Sequence, residues 1–252
     1  MVSVRPPVIW LPVSVLVVTG TDTDVGKTVT IAAIATLAAA AGRRVAVLKP
    51  AQTGVGPDEP GDLAEVVRLA GPVTTREIRR YPDPLAPLTA SRRAGLPPVG
   101  TPEVAAEISA LHADHDLVLV EGAGGLLVRF DENGGTLADA AWAVAAPVLL
   151  VARAGLGTLN AVALTAEVLE RRGLDCIGVV VGRWPADPDL AARCNLTDLP
   201  EVAGAPLLGV LPDGLAGLSG DKFRDVARET LSPWLDGEFD PDSFTARHTA
   251  AS

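Results

Sequence analysis

The chain carries a glycine-rich segment whose residue types suit phosphate binding. It runs from Gly20 to Thr28 and reads Gly-Thr-Asp-Thr-Asp-Val-Gly-Lys-Thr. Backbone N–H groups in such a loop, together with the N-terminus of a following helix, form an anion site. Lys27 can reach the outer phosphates of a nucleotide, and the Thr28 hydroxyl can bind Mg²⁺. The segment therefore predicts a nucleoside-triphosphate site, although five residues rather than four separate Gly20 from Gly26.

Three charged residues elsewhere are candidates to complete this site. Lys49 ends an apolar run, where a desolvated cation suits a carboxylate, a carbamate or a transferring phosphoryl group; the alternative is a lysine whose charged end reaches solvent. Glu121 follows the apolar run 116–120 and precedes glycines that let a backbone approach phosphate, so it is a candidate Mg²⁺ ligand. Its alternative is a solvated residue in a turn. Asp62 is either a further carboxylate near the metal or the N-cap of the next helix.

Strands and helices that alternate along the chain must position these residues. Continuous apolar runs without polar alternation predict strands that are buried on both faces, and the helical patterns between them predict βαβ units. The predicted strands are 13–19, 44–49, 116–120, 148–152, 176–181 and 207–211, and the predicted helices are 29–41, 62–70, 101–112, 158–172 and 221–231. The expected fold is therefore α/β, a P-loop NTPase-like parallel β-sheet flanked by helices on both faces. Ligands of such sheets bind beyond the carboxyl ends of the strands.

Length and composition set further bounds. The 252 residues, of which 48% are hydrophobic, fit a single α/β domain over residues 13–232, with tails at 1–12 and 236–252. The Pro-rich segment 81–98 is predicted to be an irregular insertion. The polar residues from Asp236 onward are predicted to be disordered.

Charge and hydropathy exclude several classes of partner. A net charge of −10 argues against general binding to nucleic acid or to an anionic membrane. No apolar run reaches membrane-spanning length, and residues 1–12 lack a clear basic start and cleavage site. We therefore expect a cytoplasmic protein. The two cysteines do not form a Cys-x-x-Cys motif, so neither a disulfide framework nor a zinc site is expected.

Three segments together resemble the dethiobiotin synthetase family. They are the loop 20–28, the run Lys49-Pro50 with Thr53-Gly54, and Glu121-Gly122-Ala123-Gly124-Gly125. The six-residue offset from Gly20 to Gly26 is this family's own version of the loop. The resemblance covers about residues 13 to 232.

The resemblance implies an ATP-dependent ring closure in biotin biosynthesis. In this family 7,8-diaminononanoate captures CO₂ as a carbamate, the γ-phosphoryl group of ATP moves to the carbamate, and the second amine closes the ring of dethiobiotin, releasing phosphate. Mg²⁺ accompanies the nucleotide. The resemblance also implies a homodimer in which the partner's segment 155–160 receives the substrate carboxylate. By itself, that segment is either an anion site at a helix start or a plain Thr N-cap.

Residue roles carry over from the family by motif. The implied catalytic residues are Lys27 and Lys49, and the implied metal ligands are Thr28, Asp62 and Glu121. The implied nucleotide-binding residues are Asp24, Val25, Gly26, Lys27, Thr28, Val29, Asp62, Glu121, Gly122, Ala123, Gly124, Gly182, Arg183, Pro212, Asp213 and Gly214. The implied substrate-binding residues are Thr23, Thr53, Gly157, Thr158, Leu159 and Asn160.

One departure from the family concerns the nucleotide base. Many members carry an Asn-Asp pair after the strand that corresponds to 176–181, and the Asn reads adenine; this chain has Gly182 and Arg183 there. Because glycine has no side chain to read a base edge, we predict a relaxed nucleotide preference, with other nucleoside triphosphates accepted beside ATP.

Other nucleotide-binding classes fit the residues less well. A ParA/MinD-type switch ATPase needs a signature lysine early in the loop, where this chain has Asp22. A GTPase needs an Asn-Lys-x-Asp motif, which the sequence lacks. A regulatory nucleotide-binding module has no positive feature in its favour.

Overall fold

Seven parallel strands form one sheet in residues 13–249, the part of the chain that the computed structural model describes. The strands are β1 Val15–Gly20, β2 Val45–Thr53, β3 Thr74–Tyr81, β4 Leu117–Gly125, β5 Val148–Ala152, β6 Cys176–Trp184 and β7 Leu207–Pro212. Their order across the sheet is β3-β2-β4-β1-β5-β6-β7. Strand β1, which leads into the predicted phosphate loop, therefore lies at the centre of the sheet, with β4 and β2 on one side of it.

Helices cover both faces of this sheet. They are α1 Lys27–Ala40, α2 Asp62–Ala70, α3 Pro87–Ala94, α4 Thr101–Asp114, α5 Leu137–Ala143, α6 Thr158–Arg171, α7 Leu190–Ala203, α8 Gly220–Thr230 and α9 Pro241–Thr249, with 3₁₀ turns at Leu215–Gly217 and Pro233–Leu235. Successive residues of a strand point to opposite faces. Leu16 and Val18 of β1 accordingly pack in one core with Ile31 of α1, whereas Val17 packs in another core with Val104 of α4. The predicted fold class is confirmed.

Several predicted strands extend further than expected. Strand β6 continues to Trp184, so Gly182 and Arg183 lie within it rather than after it, and longer strands also change the position of Lys49 and Glu121. Lys49 was expected at the end of its strand, but β2 continues to Thr53 because Ala51 to Thr53 stay extended and pair with β3. Glu121 was expected after its strand, but β4 continues to Gly125. Both side chains therefore leave the sheet from within a strand.

Several elements were not predicted from the sequence. The strand β3 and the helices α5 and α7 were missed, and α3 lies inside the segment 81–98 that was expected to be irregular. The sequence of β3 contains four charged residues, and the strand lies at an edge of the sheet, where one side needs no pairing and charged side chains are tolerated.

The expectation of disorder from Asp236 onward is wrong for residues 236–249. Phe239 is buried in the core, and α9 places the rings of Phe244 and His248 against Trp184, with ring centroids 5.6 Å and 5.3 Å from the Trp184 centroid. Aromatic rings supply much apolar area per residue, and these ring contacts hold the otherwise polar segment against the end of β6. The remaining predicted tail residues, 1–12 and 250–252, lie outside the described part.

Candidate functional site

The phosphate loop connects β1 to α1 and contains two residues with positive φ. Gly26 caps α1 with φ 100°, and Asp24 has φ 56°, so both residues adopt the left-handed region. A Cβ atom on Gly20 would lie 2.7 Å from Val25 Cγ2 and 2.9 Å from the Asp22 carbonyl oxygen, which explains the first glycine. Lys27 Nζ donates to that same carbonyl oxygen at 2.8 Å. The loop thus presents the start of a 14-residue helix, with its positive end, to any bound anion.

This loop forms one wall of a cleft of about 800 Å³. The predicted site residues that line it are Thr23, Asp24, Gly26, Lys27, Thr28, Val29, Lys49, Thr53, Asp62, Glu121, Gly122, Ala123, Gly124, Gly182, Arg183, Pro212, Asp213 and Gly214. Val25 is different, because its side chain is fully buried in the core and leaves only its backbone for a ligand. The volume is large enough for a nucleotide and a small substrate together.

Lys49 lies at the centre of a group of charged side chains on the floor of the cleft. Its Nζ lies 2.9 Å from Glu121 Oε1 and also contacts Asp62 Oδ2. Thr28 Oγ1 donates to the same Glu121 oxygen at 2.8 Å. Lys49 and Glu121 are 3% and 1% exposed. The three predicted metal-binding residues are therefore in mutual reach, and a lysine ammonium lies among them.

The structure also distinguishes the alternatives for two of these residues. The N-cap of α2 is Gly61 rather than Asp62, so Asp62 is the first helical residue and its carboxylate is turned to Lys49. Its backbone N–H donates to Gln52 Oε1 at 2.8 Å, which ties the start of α2 to β2. Glu121 is not a solvated residue of a turn, because its carboxylate is buried.

The charges in this group shift each other's protonation. Burial of Lys49 acts against its charge, but the carboxylates of Glu121 and Asp62 outweigh burial and raise the pKa of Lys49. Burial of Glu121 raises the pKa of that carboxyl, although Lys49 acts in the opposite direction. Burial, and next the nearby charge of Lys49, lower the pKa of Lys27. The site concentrates two buried cations beside the buried carboxylate of Glu121 and the partly exposed carboxylate of Asp62.

The donor set of this group suits Mg²⁺. The ion prefers hard oxygen ligands and is commonly held by one or two carboxylates plus substrate phosphates, and this site offers two carboxylates and a hydroxyl. Glu121 Oε2 is buried and has no hydrogen-bond partner within the described residues, so one ligand atom is available. Residues 13–249 contain no group of three or more His, Cys, Asp or Glu residues that could hold a metal by themselves. Phosphate oxygens and water would complete the coordination.

At the far end of the cleft, β6 approaches the phosphate loop closely. A Cβ atom on Gly182 would lie 2.2 Å from the Val25 carbonyl oxygen, and one on Gly26 would lie 2.5 Å from the Gly182 carbonyl oxygen. The glycine found in place of the expected base-reading residue thus allows two backbones to touch. Beside it, Arg183 Nε donates to Asp213 Oδ1 at 3.1 Å, and both side chains line the cleft.

Comparison with known proteins identifies the family. A family model described as an AAA domain matches residues 14–216. The ATP-dependent dethiobiotin synthetase BioD of Streptomyces avermitilis is 64% identical over 233 residues, which are 92% of this chain and 98% of that protein. The protein of the same name from Saccharopolyspora erythraea is 66% identical over 226 residues, 90% of this chain and 99% of its own length.

The chain belongs to the dethiobiotin synthetase family. It is thereby an enzyme of the ligase class that forms C–N bonds. Among solved structures, the cell division ATPase MinD of Pyrococcus furiosus superposes with a TM-score of 0.55 at 16% identity, covering 95% of this chain and 99% of that one. That likeness shows the P-loop NTPase fold alone.

For this family member, sequence reasoning missed part of the cleft lining. The additional residues are Ala51, Gln52, Pro84, Leu85, Ala86, Val128, Leu215 and Ala216. Gln52 lies between Pro50 and Thr53, which the sequence had already singled out, so that segment was the signal that could have found it; its burial is seen only in the structure. Pro84 to Ala86 belong to the Pro-rich insertion, where no periodicity indicates which residues turn inward.

Four residues predicted from the family, Gly157, Thr158, Leu159 and Asn160, do not line the cleft of this chain. Gly157, with φ 92°, is the N-cap of α6, so the alternative of a Thr158 N-cap is wrong. Buried Asn195 of α7 fixes the preceding turn by donating to the carbonyl oxygens of Ala154 at 2.7 Å and Gly155 at 3.1 Å. Leu156 in this turn is 93% exposed.

Proposed function

We propose that this chain is an ATP-dependent dethiobiotin synthase. The observation that carries the proposal is the buried ammonium of Lys49 in one cleft with the phosphate loop and with the carboxylates of Asp62 and Glu121. A carbamate and a transferring phosphoryl group are anionic, so a cation in this position suits them better than a general base would. The names of the relatives support the same reaction.

The proposed reaction proceeds in three steps. One amine of 7,8-diaminononanoate attacks CO₂ and loses a proton, which gives a carbamate. A carbamate oxygen then takes the γ-phosphoryl group from ATP, and ADP leaves. Finally the second amine attacks the carbonyl carbon of this mixed anhydride, loses a proton and expels phosphate, which closes the cyclic urea of dethiobiotin.

The chain's own residues position these groups and neutralise their charge, which is most of what phosphoryl transfer requires. The phosphate loop holds the triphosphate through its backbone, with Lys27 at the outer phosphates. Lys49 holds the carbamate and the phosphoryl group as charge moves between them. Thr28, Asp62 and Glu121 would hold Mg²⁺, which neutralises phosphate charge when it is bound.

The substrate carboxylate is proposed to bind a second copy of the chain. The residues Gly157 to Asn160 lie outside this chain's cleft, and Gly157 opens α6, a 14-residue helix whose N-terminus favours an anion. Leu156 beside them and Leu164 on α6 are exposed apolar side chains, 93% and 57% exposed, of the kind that a partner covers. A homodimer with a shared active site follows from this proposal.

A direct assay tests the function. Purified protein is mixed with diaminononanoate, bicarbonate, Mg²⁺ and ATP, and dethiobiotin is measured by mass spectrometry. The proposal predicts dethiobiotin and phosphate in equal amounts. Release of phosphate without dethiobiotin would refute it. Replacing ATP by CTP or GTP in the same assay tests the predicted relaxed base preference, which a strong preference for ATP would contradict.

The role of Lys49 is tested by Lys49→Ala. Losing one preorganised charge that stabilises the transition state is expected to lower kcat by about 10²–10³-fold. Lys222→Ala is the matched control, because Lys222 is an exposed lysine on α8 and should be silent. Circular dichroism must show that both variants are folded. Turnover of Lys49→Ala at the wild-type rate would remove Lys49 from the mechanism.

A further inference from the structure

The ammonium of Lys49 lies in the place where a metal ion would bind. Its Nζ contacts Asp62 Oδ2 and lies 2.9 Å from Glu121 Oε1, and these are two of the three groups proposed as metal ligands. Its remaining hydrogen bond, to the Gly122 carbonyl oxygen, is long at 3.4 Å. Lys49 therefore depends on the two carboxylates for its main interactions.

A metal ion and this ammonium cannot both hold the two carboxylates in this arrangement. Mg²⁺ binds oxygen at about 2.0–2.1 Å, so an ion on these oxygens would lie within a few ångströms of Nζ. Two cations so close in a buried site repel strongly. Binding of the ion must therefore move Nζ away from at least one carboxylate.

The side chain of Lys49 can make this movement without a change in the fold. It is a flexible four-carbon chain, and its backbone is fixed within β2, where Lys49 pairs with Glu77 of β3 and the preceding Leu48 pairs with β4. The cleft beside it is open, since Lys49 itself contributes to the lining together with Thr28 and Thr53. An anion in the cleft offers a displaced ammonium a new partner.

We propose that Lys49 is an exchangeable occupant of the metal site. In the free enzyme its ammonium forms ion pairs with both Asp62 and Glu121 and competes with bare divalent ions for their oxygens. A metal ion bound together with a triphosphate would displace the ammonium from at least one of these carboxylates and leave Lys49 free to move toward the anionic substrate. This inference rests on the proposed function only in that the cleft binds a metal–nucleotide complex.

The ammonium and the metal ion compete for the same carboxylate oxygens, so removing the ammonium must strengthen metal binding. The test compares wild type with Lys49→Met, which keeps most of the side-chain length and removes the charge. Mn²⁺ is the probe, and its binding without nucleotide is measured by electron paramagnetic resonance at pH 8. We expect Lys49→Met to bind Mn²⁺ about 10-fold or more tightly than wild type, and Lys222→Met, at an exposed site, to equal wild type.

A second measurement uses the unmodified enzyme, in case Lys49→Met does not fold. The chain has only three lysines, Lys27, Lys49 and Lys222, so selective isotope labelling gives three assignable side-chain NMR signals. We expect the Lys49 signal to move with Mg²⁺ plus a non-hydrolysable ATP analogue, and to stay with Mg²⁺ alone or with the analogue in EDTA.

Two results would overturn the inference. One is equal Mn²⁺ affinity in wild type and folded Lys49→Met. The other is a Lys49 signal that responds to the analogue in EDTA as much as to the metal complex, or to neither. Both measurements omit diaminononanoate, so a failure to form dethiobiotin would refute the proposed function and leave this inference standing.

Discussion

Gly182 offers a sharp test of how β6 and the phosphate loop fit together. A Cβ atom at this position would lie 2.2 Å from the Val25 carbonyl oxygen, 2.7 Å from Val151 Cγ1 and 3.2 Å from Gly26 Cα. Cβ atoms in proteins do not approach other atoms closer than 3.0 Å, so the backbones must separate by about 1 Å to admit an alanine. Val25 and Gly26 belong to the phosphate loop, so the loop is what has to move.

The expected cost of Gly182→Ala follows from this geometry. Overpacking of a well-packed site typically costs about 1–3 kcal/mol of the free energy of unfolding. A displacement of about 1 Å in groups that position a substrate can cost about 10²-fold in rate. We therefore expect Gly182→Ala to lower kcat/KM for ATP by about 10²-fold and to weaken binding of a non-hydrolysable ATP analogue.

Steady-state kinetics, calorimetric titration with the analogue and urea denaturation measure the three effects. Gly217→Ala is the control, because a Cβ atom there meets nothing within 4 Å and its φ lies outside the left-handed region. Its unfolding free energy should stay within about 0.5 kcal/mol of wild type. If Gly182→Ala matched wild type in both kcat/KM and stability, the close contact between β6 and the loop would not hold the phosphate site.

Three further predictions concern parts of the fold outside the cleft. The Arg44 guanidinium and the Arg44 backbone N–H hold the pKa of Asp116 well below its usual range, so this pair stabilises the protein above the ordinary Asp pKa and the stabilisation is lost as pH falls. The loss of unfolding free energy measured for Asp116→Asn in urea should therefore shrink from pH 7 to pH 3. A loss that stays constant between these pH values would contradict the prediction. Asn195→Asp removes two donors from the turn before α6 and should cost about 1–3 kcal/mol of unfolding free energy, whereas an unchanged urea midpoint would show that the turn holds itself. Phe239→Ala should cost about 3–5 kcal/mol in the same assay, because the ring is buried, while exposed Glu238→Ala should be nearly neutral; equal effects would mean that the C-terminal segment is not part of the core.

The sequence by itself determined the central strands and the chemistry of the site. Runs such as Leu117 to Val120 are apolar at every position, and only a strand covered on both faces requires that. The loop residues Gly26, Lys27 and Thr28 specify their surroundings through local rules, because a phosphate loop is one contiguous segment.

Elements of mixed polar and apolar composition were not predicted from the sequence, because tertiary contacts rather than local patterns stabilise them. Strand β3 carries charged residues and is held by its pairing with β2 at a sheet edge. Helix α9 is polar, and its aromatic residues Phe244 and His248 gain a packing partner only where Trp184 at the end of β6 comes beside them. Local periodicity does not show that Trp184 and α9 lie next to each other in the fold.

Site geometry shows the same division. The residue types at Lys49, Asp62 and Glu121 indicated charge stabilisation and a metal, because carboxylate oxygens suit Mg²⁺ and a lysine suits a transferring phosphoryl group. Their mutual contacts depend on β2 and β4 being neighbours and on α2 starting at the edge of the cleft. Lys49 and Glu121 are 72 residues apart in sequence, and only the order of strands brings Lys49 Nζ within 2.9 Å of Glu121 Oε1. Tertiary structure alone therefore decided that a lysine occupies the site expected for the metal.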